Sequence, residues 1–329
     1  MRQAFFYSFF YYLSVIKLFT MKNLNFLIAG FLALLLFSGS GCASLSQGQM
    51  KSLESFSNSC DSFKKYPGEF FEEIARIRAE RGLYYAASLS DSELRAGEVG
   101  SLYSALQKDL LLAKKSNISM EVLVSYQRAL KSLTADARWQ DRGREFRTLG
   151  RALDSAVLRF NSLDLLEQAI PLGFGKTAGR VAGYGAELFV KRAQTRAAKE
   201  FVAQGDTLVK QVVEGLVSLL RSPGVTAMIN NEKLSVKENY LSYLKSGNSV
   251  NVIADDRAYM ALLERVNKLG TVRGGIISAA NRLAKGHEKI AAEFQTKKRV
   301  KELYSELVEF EKEVAKLKRE VENLLDGIK

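Results

Sequence analysis

The sequence predicts an all-α protein, an elongated antiparallel helical bundle with long helices and a C-terminal heptad helix that resembles a coiled-coil strand. Three observations carry that reading. Only Pro67, Pro171 and Pro223 interrupt 329 residues, and proline is the residue a helix interior tolerates least. Between them the apolar residues recur at steps of three and four, and only one short stretch, "VNVI" at 250–253, reads as extended, which is too little for a sheet.

Taken in order, Phe70, Ile74, Ile77 and Tyr84 form an apolar stripe after Pro67. Ser90 with Glu93 offers a reciprocal cap for a helix running to about Lys115, and "KSNIS" at 115–119 reads as a break. Helical spacing resumes from Met120 to about Ile170, with an interruption around Gly143. Phe201, Leu208, Val212, Leu216 and Leu219 then keep one face until Pro223. Ser235 with Glu238 makes a second capping pair, and "SGNSVNVIADD" at 246–256 is the clearest loop. Beyond it Met260, Leu263, Val266, Leu269 and Ile276 restore the period, while Gly270, Gly274 and Gly275 each weaken the helix by about 1 kcal/mol.

The closing segment, 299–328, is the most regular. Val300, Leu303, Leu307, Phe310, Val314, Leu317, Val321, Leu324 and Ile328 alternate steps of three and four without exception. Such a seam suits a parallel two-stranded coil and hence a homo-oligomer, or packing on a helix of the same chain such as the one bearing Phe70 to Tyr84.

"PLGFGKTAGRVAGYG", residues 171–185, has the look of a phosphate-binding loop, with Gly175, Lys176 and Thr177 in succession. A cradle of that kind needs a further glycine where Ile170 stands, and Pro171 removes an amide from the curve. The remaining pattern is Gly175, Gly179 and Gly183 at every fourth residue, a spacing that lets another helix backbone approach closely. The charges of Lys176, Arg180, Glu187 and Lys191 exclude an uninterrupted membrane span there.

At the other end, Met21 opens a second start, "MKNLNFLIAGFLALLLFSGSGCAS", in which a lysine precedes a twelve-residue apolar run, Phe26 to Phe37, and small residues lead up to Cys42. The run is too short for an ordinary spanning helix and reads as an export signal. This stretch of about twenty residues resembles bacterial lipoprotein signals, although Gly39 stands where that pattern usually has an aliphatic residue. The resemblance implies cleavage before Cys42, a diacylglycerol on its thiol, and a place in the cell envelope on the outer membrane, facing the periplasm or the cell surface. The alternative is a plain secretory peptide cut nearby, which leaves Cys42 free to pair with Cys60. The expected organisation is an upstream extension 1–20, a signal 21–41, a lipidated tether 42–66 and a bundle 67–329.

Residues 1–41 hold Arg2, Lys17 and Lys22 and no acid, so 45 basic residues face 36 acidic ones in the remainder, an excess of +9. That balance favours anionic envelope polymers or lipid headgroups, and export leaves no nucleic-acid partner. Catalytic and metal-binding patterns are thin. His287 is the single histidine and reads as a surface residue, and Cys60 as a buried or unpaired thiol. Glu72 and Glu73 point to different helix faces, and the serine-x-x-lysine runs at 62–65 and 242–245 lack their companion motifs. No catalytic residue, cofactor or metal is assigned. The expected function is a structural or protein-interaction module bound to the membrane through its lipid and engaging an envelope protein or polymer. The alternative is a membrane-active helical protein resembling pore-forming bundles, using the amphipathic segment 162–190.

Overall fold

The computed structural model describes residues 47–134, 139–181, 187–296 and 301–325. Residues 1–41, Cys42, Gly183, Val300 and Ile328 lie outside that set, as do the side chains of Trp139 and Leu303 and the surroundings of Gly179. Within it the chain is helical with no strand. The elements are α1 (Gln47–Phe63), α2 (Tyr66–Ser88), α3 (Ser92–Thr134), α4 (Trp139–Asn161), α5 (Phe174–Val181), α6 (Glu187–Arg221), α7 (Pro223–Ser246), α8 (Val252–Thr296) and α9 (Lys301–Leu325).

Helix α8 is the axis of the described bundle. Its 45 residues span about 67 Å at 1.5 Å per residue. Phe56 of α1 packs on His287, and Glu73 and Glu80 of α2 bond Arg265, so α1 and then α2 run antiparallel to α8 along its length. Asp206 of α6 meets His287, and Tyr240 of α7 stacks on Tyr259, so α6 and α7 run the same way on another side. The chain thus has two ends. At the base α1 begins and α8 finishes; at the tip α2 passes to α3 and α7 to α8.

The prolines divide these long lines into segments. Pro67 cannot donate to the turn before it, so α1 and α2 part at Lys64 and Lys65, with Pro67 in the first turn of α2. Pro223 does the same between α6 and α7, where the Ser222 hydroxyl caps the new helix by accepting the Val225 amide at 3.3 Å. Gly247, in the left-handed region at φ 73°, ends α7.

Four sequence expectations are corrected. Helix α3 passes through 115–119 without a break, because Ser116 and Ser119 are small enough to lie buried on the face that carries Ala113 and Met120, and Ser119 returns its hydroxyl to the Lys115 carbonyl. Its cap is Asp91, not Ser90: the Asp91 carboxylate accepts the Glu93 and Leu94 amides at 2.8 and 2.9 Å. Ser235 and Glu238 lie inside α7, which Ser222 already caps. Val252 and Ile253 start α8, where the Asn251 side chain accepts the Ala254 amide, and so are not extended.

The heptad seam is used within the chain. Leu307, Phe310, Val314, Leu317, Val321 and Leu324 are all buried, with α9 lying antiparallel against α8 and beside α1. Each such side chain contributes roughly 1.5–3 kcal/mol on burial. At Gly275 and Gly286 of α8, side chains of α9 come close: a Cβ at Gly275 would fall 2.6 Å from the Glu320 carboxylate and 3.2 Å from Leu317. The described part of the seam is therefore covered by its own chain, leaving no free stripe for a second copy.

A buried ionic network ties α2, α3, α7 and α8 together. Arg265 Nε lies 2.6 Å from Glu73 Oε1, and Arg81 Nε lies 2.6 Å from Glu232 Oε2, while Arg78 bridges Asp109 and Glu232. Burial holds the Glu73 carboxyl above its ordinary range despite the opposing pull of Arg265. Removing one partner strands the other, at a cost of about 3–5 kcal/mol, whereas replacing both with apolar groups is far milder. Arg265→Met is accordingly expected to lower the unfolding free energy by about that amount in urea titrations, and Glu73→Leu/Arg265→Met to recover most of the loss.

Candidate functional site

The tip carries an unusual surface. Among the described residues, eleven of the fifteen exposed large apolar side chains belong to the segments that meet there. Leu83, Tyr85, Leu94, Val99 and Tyr103 come from the α2–α3 side, and Leu241, Leu244, Val250, Val252, Ile253 and Met260 from the α7–α8 side. Val250 is 98% exposed and Met260 67%. Isolated exposed apolar residues are ordinary, and here they are concentrated in the segments that form one end.

Beneath it lies a rigid tyrosine layer. Tyr240 stacks on Tyr259 with centroids 4.0 Å apart, and Tyr84 meets Tyr240 edge-on at 5.1 Å. The Tyr240 hydroxyl donates to Asp256, and the Tyr243 hydroxyl to Asp255 at 2.9 Å, where Ser249 also donates at 2.6 Å. Burial, reinforced by Asp255, pushes the Tyr84 phenol up to about 12, and burial with the Asp256 bond raises that of Tyr240. The phenols therefore stay protonated donors at neutral pH. Asn248 donates to the Ala87 carbonyl at 2.8 Å and binds the α7–α8 loop to the end of α2.

The base holds a polar chain in its core, and it corrects the reading of His287 as a surface residue. His287 is fully buried: Nε2 lies 2.7 Å from the Tyr126 hydroxyl and Nδ1 3.3 Å from Asp206 Oδ1. Asp206 only accepts, so Nδ1 carries the proton and Nε2 accepts from Tyr126, which satisfies all three groups with a neutral ring. Lys210, 3.0 Å from Asp206, closes the chain toward solvent. Burial drives the imidazole below its ordinary value against the pull of Asp206. Tyr126 lies flat on Phe201 and directly over Gly205, where a Cβ would fall 2.1 Å from its hydroxyl. Cys60 is a buried free thiol, as expected, and burial raises its pKa well above the ordinary value. Tyr126, His287 and Cys60 are all buried, and the bonds of the first two pack this end of the core.

The glycine segment is settled by a residue that sequence reading passed over. Asp154 of α4 accepts the amides of Gly173 and Phe174 at 3.1 Å and of Gly175 at 2.9 Å. The loop does gather its amides around an anion, and that anion is the protein's own carboxylate. Gly175 packs closely against Gly150 of α4, where a Cβ would fall 3.2 Å from the Gly175 Cα and 2.9 Å from Ala178. Asn161 brackets the preceding loop by donating to the Ile170 carbonyl and accepting its amide. Ile170, Phe174 and Ala178 are buried, so the described apolar face of 162–190 points largely into the bundle. Among the described residues one stretch, Ala198–Ser246, is long and apolar enough by composition to cross a membrane, and its Phe201, Val209, Val212 and Leu216 are core residues.

The grooves of the surface are shallow in chemistry. One of them, about 630 Å³, runs between α6 and α8 over Val217 and Ala284 with Lys210, Glu214 and Arg221 at its edges. Among the described residues no three His, Cys, Asp or Glu side chains come together to hold a metal ion. Compared with known proteins, the chain matches no protein-family model, no curated protein and no solved structure.

Two outcomes are expected in the base. Gly205→Ala forces Tyr126 off its seat and is expected to cost about 1–3 kcal/mol in denaturant unfolding, as overpacking does. The folded His287 binds its proton less readily than the unfolded one, so its contribution to stability is present above the unfolded value near 6.5 and is lost as pH falls through it. Stability measured from pH 7 to 5 is expected to fall with a slope of at most about 1.4 kcal/mol per pH unit from this group, and His287→Gln to remove that component.

Proposed function

We propose that this chain is a lipid-anchored protein of the bacterial cell envelope, held to the outer membrane through Cys42, and that it works as a structural or protein-interaction module without catalysis. The observation that carries the reading is the gathering of exposed apolar side chains at the tip. Cys42 precedes α1 by only a few residues, and α1 begins at the base, about the length of α8 from that surface. A tether at one end and an apolar surface at the other is the layout of a molecule that reaches from a membrane toward something else. Two acyl chains suffice for a stable anchor where one does not.

A second reading, a membrane-active bundle, draws on the composition of Ala198–Ser246. It requires α6 to turn its core face outward, and liposome leakage by the unlipidated protein is its test.

The anchor is checked in cells that make the full chain. Labelled palmitate is expected to enter the protein, and Cys42→Ser is expected to abolish the label and release the chain from the membrane fraction. A Cys42→Ser chain that stays membrane-bound to the same extent overturns the anchor.

A further inference from the structure

We infer that the cavity between the 170–174 loop and α6 binds a small neutral molecule that carries an amide on an apolar body. The inference goes beyond the reading of the chain as an interaction module and does not depend on the anchor.

The cavity holds about 250 Å³, room for roughly eight bodies the size of a water molecule at about 30 Å³ each. Ile170, Pro171, Leu172, Phe174 and Leu208 make its apolar side. That wall is fixed before anything binds. Asn161 holds Ile170 by two bonds, at 3.0 and 2.9 Å, and Asp154 holds the amides of Gly173, Phe174 and Gly175. Gly173, at φ 150°, adopts a backbone conformation that other residues rarely reach, and a Cβ there would meet nothing within 4 Å. The loop is thus bent and clamped around space that the described side chains leave open. Leu172 lines that space while 48% exposed, which is apolar surface that an occupant would cover. A preformed wall also reduces the ordering that binding has to supply.

The polar side selects the occupant. Gln204, Thr207 and Gln211 line the cavity from α6, and at about 100° per residue the three fall within roughly 60° of one another around that helix. Among the described residues that line the cavity none is ionisable, so a charged occupant would give up its hydration without gaining a counter-charge. Gln204 accepts the Thr177 hydroxyl with its side-chain oxygen at 3.1 Å and keeps its amide N–H groups to donate. Gln211 has the opposite need, because its side-chain oxygen is buried with no partner. The last torsion of a glutamine side chain is soft, so this oxygen can turn to a donor seated in the cavity. An amide brings a carbonyl that accepts from Gln204 and an N–H that donates to Gln211, whereas a carboxylate only accepts.

The test is thiol protection in membranes from cells that make the full chain with Thr207→Cys. Thr207 is an exposed lining residue and Cys60 is buried, so maleimide reports on position 207, and peptide mass spectrometry keeps any label at Cys42 apart. Hexanamide and phenylacetamide are the probes, with hexanoate and phenylacetate as their charged counterparts. Ser218→Cys, at an exposed position further along α6 and outside the cavity's lining, is the control. At least one amide is expected to slow labelling at Thr207→Cys by roughly fivefold at millimolar concentration, with neither carboxylate doing so and Ser218→Cys unchanged. Gln211→Met in the Thr207→Cys chain, which keeps the side-chain length and removes the acceptor, is expected to abolish most of that protection. Protection by neither amide overturns the inference. So does equal protection by the carboxylates, equal slowing at Ser218→Cys, or protection that Gln211→Met leaves intact. Palmitate labelling of the same samples reports on the anchor separately: protection without label removes the anchor and keeps the cavity site, and label without protection does the reverse.

Discussion

The polar groups buried along α8 fix the register of the helices that bond them. Leu, Val and Ile faces supply most of the stabilisation, but they would tolerate sliding by a turn at modest cost, because one apolar contact resembles the next. Arg265 and His287 tolerate no such shift. A buried guanidinium away from Glu73 and Glu80, or a buried imidazole away from Tyr126 and Asp206, would lose bonds that water cannot replace. One of these groups sets the level of α2 on α8, and the other sets the levels of α3 and α6. With those fixed, the turns at Pro67 and Pro223 and the stop at Gly247 follow as the places where each line must break or end.

The same logic holds at smaller scale in the base. The loop before α5 and the first turn of that helix carry five amide or carbonyl groups that the short helix cannot satisfy, and α4 satisfies them with two side chains, Asn161 and Asp154. Gly150 and Gly175 let α4 and α5 come close enough for those bonds to form. Packing and polar satisfaction are one arrangement here: a side chain at either glycine would push the amides away from Asp154.

What was legible in the sequence was whatever depends on near neighbours. Periodicity gave the helices and the heptad stripe, and the prolines gave two of the boundaries. Whether that stripe would pair with another chain was not legible, since a seam has the same pattern against either partner, and the seats prepared for it at Gly275 and Gly286 looked only like weak points in α8. His287 was misread because its partners lie 161 and 81 residues away, and nothing around "AKGHEKI" records them. Asp154 was overlooked for the same reason. The break expected at 115–119 failed because serine and asparagine are weak helix formers only in isolation; once a face is buried, small polar side chains fit where larger ones would not. The tip escaped notice because its members come from two segments far apart in the chain, each carrying unremarkable scattered apolar residues.

The two ends of the molecule divide the physical work. The base buries polar groups that an apolar core would do without, and it joins α1, α6, α8 and α9 around them, so that this end is specified as well as packed. The tip leaves apolar groups in water that a freely soluble bundle would cover, and holds them on stacked tyrosines whose hydroxyls are bound by Asp255 and Asp256. Exposed apolar surface adds nothing to the stability of the isolated chain, and the open glycines of α3 subtract from it. The tip is held up by its tyrosine layer, its ionic network and the long helices it shares with the base.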